Sequence, residues 1–455
     1  MNLYLYDTFS KSKKLFEPID DKNVRMYVCG PTVYDYPHVG NARPVIVFDI
    51  LFRLLRYVYG EKHITYVRNI TDVEDKIITA AKENNEDIST LTQRTTNYFH
   101  DDSKYVGNMN PTVEPKATDH INEMIEMISI LMDKDYAYES DGNILFSTKK
   151  FDKYGKLSGK NLDELIAGAR VELEDFKIDT SDFVLWKPSK IGEPNWDSPW
   201  GKGRPGWHIE CSAMSNKYLG NTFDIHGGGQ DLIFPHHENE IAQSESAFSE
   251  TFANYWIHNG FVTVEGNKMA KSEDNFVTVD QLKEKYQGEV IRLTMMLTHY
   301  RQPLNWTDEN LRDSKKILDK WYNFLSVSEK TKTQDKKNIS EEMFSALSDD
   351  INTPKAISCL HQLYKNCKEN DKDSIALFAN SAQFLGLLCN EPLSWMNWKK
   401  SDKSIDEMQV QSLINERNDA RIKGDYAKAD RIRDNLEKMG IILEDKDGQT
   451  SWKLK

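Results

Sequence analysis

The chain predicts an α/β fold: a doubly wound parallel sheet of Rossmann type, interrupted by an inserted subdomain and followed by a mainly α-helical C-terminal region with a small terminal β-hairpin. Three observations carry that expectation. A strand, a helix and a second strand follow one another near the start, two further strand-like stretches ending at or beside glycine come after residue 220, and helical periodicity dominates beyond Thr307.

Val24-Arg-Met-Tyr-Val28 reads as a short buried strand, broken by Cys29-Gly-Pro31. From Asn41 to Tyr59 apolar residues recur at helical spacing through Val45, Phe48, Leu51, Leu55 and Val58, and Gly60 closes the helix. Ile64-Thr-Tyr-Val-Arg68 is the second strand, and such a β-α-β unit implies a parallel sheet. Ligands of these sheets bind beyond the carboxyl ends of the strands, where Cys29, His38 and Thr71 fall. From about Asn110 to Pro199 the pattern changes. A helix bearing Ile121, Met124, Ile125, Ile128 and Leu131 is followed by the β-like Asn143-Ile-Leu-Phe-Ser147 and a segment rich in Pro and Trp, which reads as an insertion. Thr222-Phe-Asp-Ile-His226 and Trp256-Ile-His-Asn-Gly260 resume the nucleotide fold. Ser326 to Lys337 and Asn390 to Ile405 read as linkers. Tyr426 to Met439 is a helix ended by Gly440, and Ile441-Ile-Leu443 and Ser451-Trp-Lys-Leu454 flank a turn at Gly448.

With 455 residues the chain exceeds one core and implies two to four domains. A hydrophobic content of 39% and 10 Trp supply enough apolar material to exclude disorder of the whole. The start has no basic stretch leading into a long apolar one, and no segment approaches the ~18 uninterrupted apolar residues of a membrane span, so a cytoplasmic protein with no membrane partner is expected. Five cysteines without a disulfide-like framework favour free thiols and metal ligands in a reducing compartment. The formal net charge of -13 leans against a nucleic-acid partner, yet it says little about a local basic face.

Cys29, Cys211 and the pair His236/Glu240 within Pro235-His-His-Glu-Asn-Glu240 offer two thiolates, an imidazole and a carboxylate, all ligand types of four-coordinate zinc. Pro235 suits a first helical turn, so His236 and Glu240 share one helix face. Against this, a lone cysteine at a strand end is ordinarily a core residue, the two cysteines stand 182 positions apart, and no CxxC exists. Spacing therefore leaves the metal open, and His237 competes with His236 as the partner of Glu240. Cys359, Cys367 and Cys389 read as small core residues of the helical tail.

His38 and Asn41 lie three apart at the mouth of a helix, where free backbone amides favour phosphate. Donors there can stabilise charge developing on an α-phosphate under attack by a carboxylate. Lys268 and Lys271 lie in Gly266-Asn-Lys-Met-Ala-Lys-Ser-Glu-Asp-Asn275, a loop whose ammonium groups can clamp a triphosphate and then the leaving pyrophosphate. Either motif alone reads more readily as a solvated surface turn. Both in this order, each after a predicted strand, point to adenylate chemistry.

His38-Val-Gly-Asn41 and Lys268-Met-Ala-Lys-Ser272 are close variants of the HIGH and KMSKS signatures of class I aminoacyl-tRNA synthetases. Over essentially its whole length the chain resembles the cysteinyl-tRNA synthetase family, through Met26-Tyr-Val-Cys-Gly-Pro-Thr-Val-Tyr-Asp35, Gly203-Arg-Pro-Gly-Trp-His-Ile-Glu-Cys-Ser212 and Phe234-Pro-His-His-Glu-Asn-Glu-Ile-Ala-Gln243. The resemblance implies one Zn2+ per chain on Cys29, Cys211, His236 and Glu240, and a cysteine pocket lined by Thr71 and Trp207. It implies ATP binding and catalysis by His38, Asn41, Lys268 and Lys271, with Mg2+ accompanying ATP. Cysteine and ATP would give cysteinyl-adenylate and pyrophosphate, after which the terminal ribose of tRNA(Cys) takes the cysteinyl group. Zinc would draw the substrate thiol, of free pKa about 8.5, into its thiolate form. Discrimination against serine on the order of 10⁴-fold, about 5.5 kcal/mol, would then need no editing domain.

By the same resemblance Arg421, Asp430 and Asp445 are associated with anticodon reading; Arg can donate twice to guanine, and Asp can accept from the amines of cytosine and adenine, which suits G-C-A. The other reading is a solvated charged surface formed by Arg421 and Lys428 on the helix of Asp430. The expected domains are a catalytic domain (residues 1–109 and 200–270), a connective insertion (110–199), a KMSKS-loop and stem-contact region (271–325), a helical bundle (338–390) and an anticodon-binding domain (405–455) in a monomeric chain. Two departures stand out: Asn41 replaces the second His of HIGH, and Glu273-Asp274 follows Ser272 where Leu-Gly is usual. The alternatives are a cysteine ligase of the same fold acting on an amino sugar in thiol-cofactor biosynthesis, and a catalytically inactive zinc-containing RNA-binding protein. A methionyl relative is disfavoured, because a thioether needs no zinc in its pocket.

Overall fold

Four parallel strands, in the spatial order Ala253–Asn259, Phe223–Gly229, Val24–Val28 and Ile64–Arg68, form the central sheet of the computed structural model. The structure describes residues 2–159, 175–269, 275–327, 338–367, 371–398, 407–438, 441–446 and 449–454. Val24, Met26, Tyr27 and Val28 are all buried, as a strand covered on both faces requires. Pleating sends Tyr66 to one face, where its ring lies 5.2 Å from that of Phe52 on the helix Val39–Tyr59. It sends Val67 to the other, into a cluster with Tyr27, Ile209, Met214, Ile241 and Trp256. Helices thus cover both faces, and the doubly wound expectation holds.

The first helix begins at Val39 rather than Asn41, because His38 takes the N-cap with an extended backbone and the Asn41 side chain accepts its N–H at 3.1 Å. Gly60 closes the helix by donating its N–H to Arg56 O at 3.0 Å. The two later strands run longer than expected: the first because Gly227, Gly228 and Gly229 stay paired with Ile257, His258 and Asn259, the second because it begins at Ala253, opposite Phe223. At Gly227 a Cβ would come within 2.3 Å of the Phe48 ring, so glycine lets the helix pack directly on the strand.

The insertion contains the helix Ile121–Asp133 and an antiparallel sheet of Ala137–Ser140, Asn143–Phe146, Phe183–Pro188 and Gly203–Pro205. Its Leu131, Ile144, Phe146 and Trp186 belong to the same cluster as Val67 and Tyr27, so insertion and sheet share one core. Beyond Thr307, helices Asp308–Val327, Glu341–Ser348, Thr353–Asn366 and Lys372–Phe384 follow. No helix among the described residues is long and apolar enough to cross a membrane.

The chain divides into two compact units, residues 1–389 and 390–455. The second contains helices Glu407–Ile422 and Tyr426–Lys438 and the hairpin Ile441–Lys446 with Gln449–Leu454, around a small core of Val410, Ile414, Ile432, Leu436 and Ile441.

Four sequence expectations need correction. Pro235 does not open an α-helix: it lies in an irregular turn, Ile233–His237, where Phe234 is extended (φ −140°, ψ 132°), and the α-helix starts at Glu238. The stretch from Asn390 is no plain linker, since Pro392–Met396 is helical and Trp395 is buried. Cys359 and Cys367 are half-buried and Cys389 is exposed, because Cys367 caps a helix end and Cys389 follows the turn at Leu388. Arg421 and Asp430 occupy different helices, separated by the turn at Gly424. Residues 328–337 and 399–405 of the expected linkers, and Met439, Gly440 and Gly448, lie outside the described residues.

Candidate active site

The parallel strands deliver their next residues to one place. Cys29 follows Val28 and donates its N–H to Gly227 O at 3.1 Å, while Asn69 follows Arg68. These two strand ends approach so closely that a Cβ on Gly30 would lie 1.7 Å from Asn69 O, which only glycine permits. The helix Trp207–Leu219 brings Cys211 from the insertion side, and the turn Ile233–His237 with the helix Glu238–Phe248 brings His236 and Glu240.

The four residues converge although the chain separates them widely. Cys29 Sγ lies 3.6 Å from Cys211 Sγ and 3.4 Å from Glu240 Oε1, and His236 Nε2 lies 3.1 Å from Glu240 Oε1. All four donor atoms fall within 4.8 Å of one another. Zinc with bonds of about 2.0–2.3 Å at tetrahedral angles sets its ligand atoms roughly 3.4–3.8 Å apart, and the distances of 3.6, 3.4 and 3.1 Å within the cluster lie within a few tenths of an ångström of that range. Burial, with Cys211 and Glu240 adding to it, pushes the Cys29 thiol well above its ordinary range. Burial also raises Cys211 and holds His236 well below the usual imidazole range. A divalent cation would suit all of them, since it favours thiolate and carboxylate and takes the neutral imidazole.

A second set, Cys29, His226, His237 and Glu240, meets the same distance condition, so the competition between His236 and His237 is real. Geometry favours His236, because His237 Nε2 stands 3.9 Å from Glu240 Oε1. Around the set lie histidines that sequence reasoning missed. His208 Nδ1 is 2.9 Å from His236 Nδ1, His226 Nε2 is 2.8 Å from Glu240 Oε2, and His237 Nδ1 is 2.8 Å from His258 Nε2. Burial pushes His208 and His258 down to about 3. For His226 and His258 the signal was present: a histidine inside a strand buried on both faces, as in Asp224-Ile-His226 and Trp256-Ile-His258, has no place among core residues unless its nitrogens are used.

Both expected pocket residues adjoin this cluster. The Trp207 ring stacks on His236 at 4.2 Å with planes 24° apart. Thr71 is buried, accepts from Asn69 Nδ2 at 3.1 Å and donates to Glu210 Oε2 at 2.9 Å.

At the mouth of the first helix, Val39 N donates to Val277 O at 3.0 Å and Val279 N to Pro37 O at 3.1 Å. The His38 ring meets Phe276 edge-on at 5.0 Å. Asn41 turns its side-chain oxygen to the His38 N–H, a bond that leaves its amide N–H groups as donors. A Cβ on Gly40 would come 3.3 Å from Met269 Cε, so the start of the lysine motif returns to the helix mouth. Lys268 ends the strand Asn267–Lys268, opposite Thr263, whereas Lys271 and Glu273-Asp274 lie outside the described residues.

In the second unit, Arg421 is in the last turn of Glu407–Ile422, Asp430 is exposed on Tyr426–Lys438, and Asp445 stands opposite Thr450 in the hairpin. Lys428 forms an ion pair with Glu416 at 2.8 Å, bridging the two helices.

Comparisons with known proteins identify the family. The family model described as "tRNA synthetases class I (C) catalytic domain" matches residues 15–316, and "Cysteinyl-tRNA ligase anticodon binding domain" matches residues 407–452. The chain is 52% identical over 455 residues to the cysteine–tRNA ligase of Pelagibacter ubique (strain HTCC1062), covering 100% of this chain and 99% of the relative. It is 49% identical over 457 residues to that of Beijerinckia indica subsp. indica, covering 100% of both. Among solved structures it aligns with Mycobacterium tuberculosis methionyl-tRNA synthetase in complex with methionyl-adenylate (TM-score 0.56, 13% identity, 83% of this chain and 93% of that one). It also aligns with the ternary complex of Agrobacterium radiobacter K84 agnB2 LeuRS, tRNA and LeuAMS (TM-score 0.58, 9% identity, 84% and 86%). At these identities the structural likeness is one of fold, and the end-to-end sequence identity supplies the rest: the chain belongs to the cysteine–tRNA ligase family of class I aminoacyl-tRNA synthetases.

Proposed function

We propose that this protein ligates L-cysteine to tRNA(Cys) at the expense of ATP, through a cysteinyl-adenylate, in the cytoplasm. The observation that carries the reading is the convergence of Cys29, Cys211, His236 and Glu240 beyond the carboxyl ends of the parallel strands, with Thr71 and Trp207 beside them. Relatives that bear the name cysteine–tRNA ligase over the whole chain support the same reaction.

In this scheme Thr71 and Trp207 line the amino-acid pocket. Zinc, held by Cys29, Cys211, His236 and Glu240, would supply a Lewis acid that favours the substrate thiolate over the hydroxyl of serine. His38, at the mouth of Val39–Tyr59, serves the α-phosphate, where charge grows as the cysteine carboxylate attacks and pyrophosphate leaves. Asn41 acts at one remove, by capping His38. Lys268 and Lys271 hold the β- and γ-phosphates with Mg2+. A ribose hydroxyl of the tRNA terminus then attacks the carbonyl carbon and AMP leaves. Arg421, Asp430 and Asp445 read the anticodon. The scheme uses the groups of one chain, so a monomer suffices.

The test is charging of tRNA(Cys) transcript with labelled cysteine in the presence of ATP. One cysteine bound per tRNA, with serine on the order of 10⁴-fold slower in kcat/KM, is expected. Ligation to an amino sugar and not to tRNA would replace the acceptor in this reading. Binding of tRNA without any cysteine-dependent turnover of ATP would reduce the protein to a zinc-containing RNA binder.

A further inference from the structure

The hydrogen bonds around Thr71 start from one fixed direction. Gly30 N–H lies 2.8 Å from Asn69 Oδ1, and since a backbone amide only donates, the Asn69 side chain must turn its oxygen toward Gly30. Its Nδ2 then faces Thr71 Oγ1 at 3.1 Å, and the hydroxyl accepts there. The one hydroxyl proton goes to Glu210 Oε2, 2.9 Å away. With its proton and one lone pair committed, Thr71 Oγ1 can offer a further ligand only an acceptor.

Glu210 is fully buried, and its other oxygen, Oε1, has no hydrogen-bond partner among the described residues. A buried carboxyl oxygen left so is costly unless a ligand serves it. Oε2 accepts the Thr71 hydroxyl whenever that oxygen carries no proton of its own. The helix Trp207–Leu219 carries Glu210 next to Cys211, so one helical turn sets both a thiol of the donor cluster and the partner of Thr71.

Resting on the reading that Thr71 lines the cysteine pocket, we propose that Glu210 is a positioning residue: by holding the Thr71 proton it fixes the hydroxyl as an acceptor for the ammonium group of the substrate amino acid. An ammonium offers donors alone, whereas a carboxylate or thiolate offers none, so the arrangement selects which end of cysteine meets Thr71.

The experiment compares wild type, Glu210→Ala and Glu210→Gln as full-length zinc-loaded protein. Titration calorimetry reads binding of cysteine, of cysteamine, which lacks the carboxylate, and of 3-mercaptopropionate, which lacks the ammonium. Zinc content and cysteine-dependent ATP–pyrophosphate exchange are measured on the same preparations. Glu210→Ala is expected to weaken cysteine and cysteamine about tenfold or more, to leave 3-mercaptopropionate within about twofold, and to raise KM for cysteine more than it lowers kcat. Glu210→Gln keeps an acceptor for Thr71 and is expected to restore cysteine and cysteamine to within about threefold. Equal weakening of all three ligands, or loss of zinc, would make Glu210 merely structural and overturn the proposal. Weakening confined to 3-mercaptopropionate would mean that Thr71 donates to the carboxylate, which overturns it equally. Cysteine binding without exchange in the wild type defeats the proposed function alone, and exchange with unchanged ligand ratios in Glu210→Ala defeats this inference alone.

Discussion

The crevice beyond the parallel strands and the unit 390–455 are built on opposite plans. In the crevice Cys211, His236 and Glu240 are at most 2% exposed, and with Cys29 they come from four elements that meet only once the sheet has formed. In the terminal unit Arg421 and Asp430 are exposed, on two helices over a small core. The difference suits the two tasks proposed for them. Acting on a small ligand requires desolvated groups at fixed distances, because electrostatic effects strengthen as water is excluded. Reading a base edge requires polar side chains that exchange water for the base. Substitutions in the first region should therefore abolish chemistry, and those in the second should weaken RNA binding while leaving activation intact.

The largest effect expected is that of Cys211→Ser, which removes a buried thiol from the donor cluster. Metal analysis should find zinc lost, and cysteine-dependent ATP–pyrophosphate exchange should fall on the order of 10³-fold or more. Retained zinc with normal exchange would break the contrast at its stronger end. Next comes Leu436→Ala, a cavity in the small core of the terminal unit, expected to cost about 2–5 kcal/mol. A lowered melting transition with unchanged exchange would sharpen the comparison, and a parallel loss of exchange would erase it. Asp430→Ala should raise KM for tRNA(Cys) by about 5- to 100-fold without touching exchange, read by charging assays at varied tRNA concentration. The smallest effect is that of Lys428→Ala: its pair with Glu416 is solvent-exposed, so neither charging nor melting should change measurably.

Much of the frame was legible from periodicity alone. Val45, Phe48, Leu51 and Leu55 lie on one helical stripe, and all four are buried, Phe48 beneath Gly227 of the sheet and Val45 among Val33, Ile70 and Phe99. Val24–Val28 reads as a strand because all of its residues but Arg25 are apolar or aromatic and buried. The donor cluster was not legible in this way. Cys29 and Cys211 stand 182 positions apart, and nothing local in the chain measures the 3.6 Å between their sulphurs; likeness to a family supplied the set that spacing left open. Spacing also could not choose between His236 and His237, since both are helical neighbours of Glu240, and the structure separates them only by 3.1 against 3.9 Å. Pro235 misled because its preference for a first turn is weaker than the constraint of the irregular turn that aims His236 at the cluster. Glu210 escaped notice for a different reason: a glutamate four residues into a helix reads as a solvated charge until the fold buries it beneath Thr71.

The most direct test of the central claim, that a zinc-bearing crevice activates cysteine, is ATP–pyrophosphate exchange on metal-analysed protein, wild type beside Cys29→Ser. Exchange that requires cysteine, accompanies one zinc per chain and collapses together with the metal in the variant is the result predicted. Full cysteine-dependent exchange in a Cys29→Ser protein that holds no zinc would contradict it.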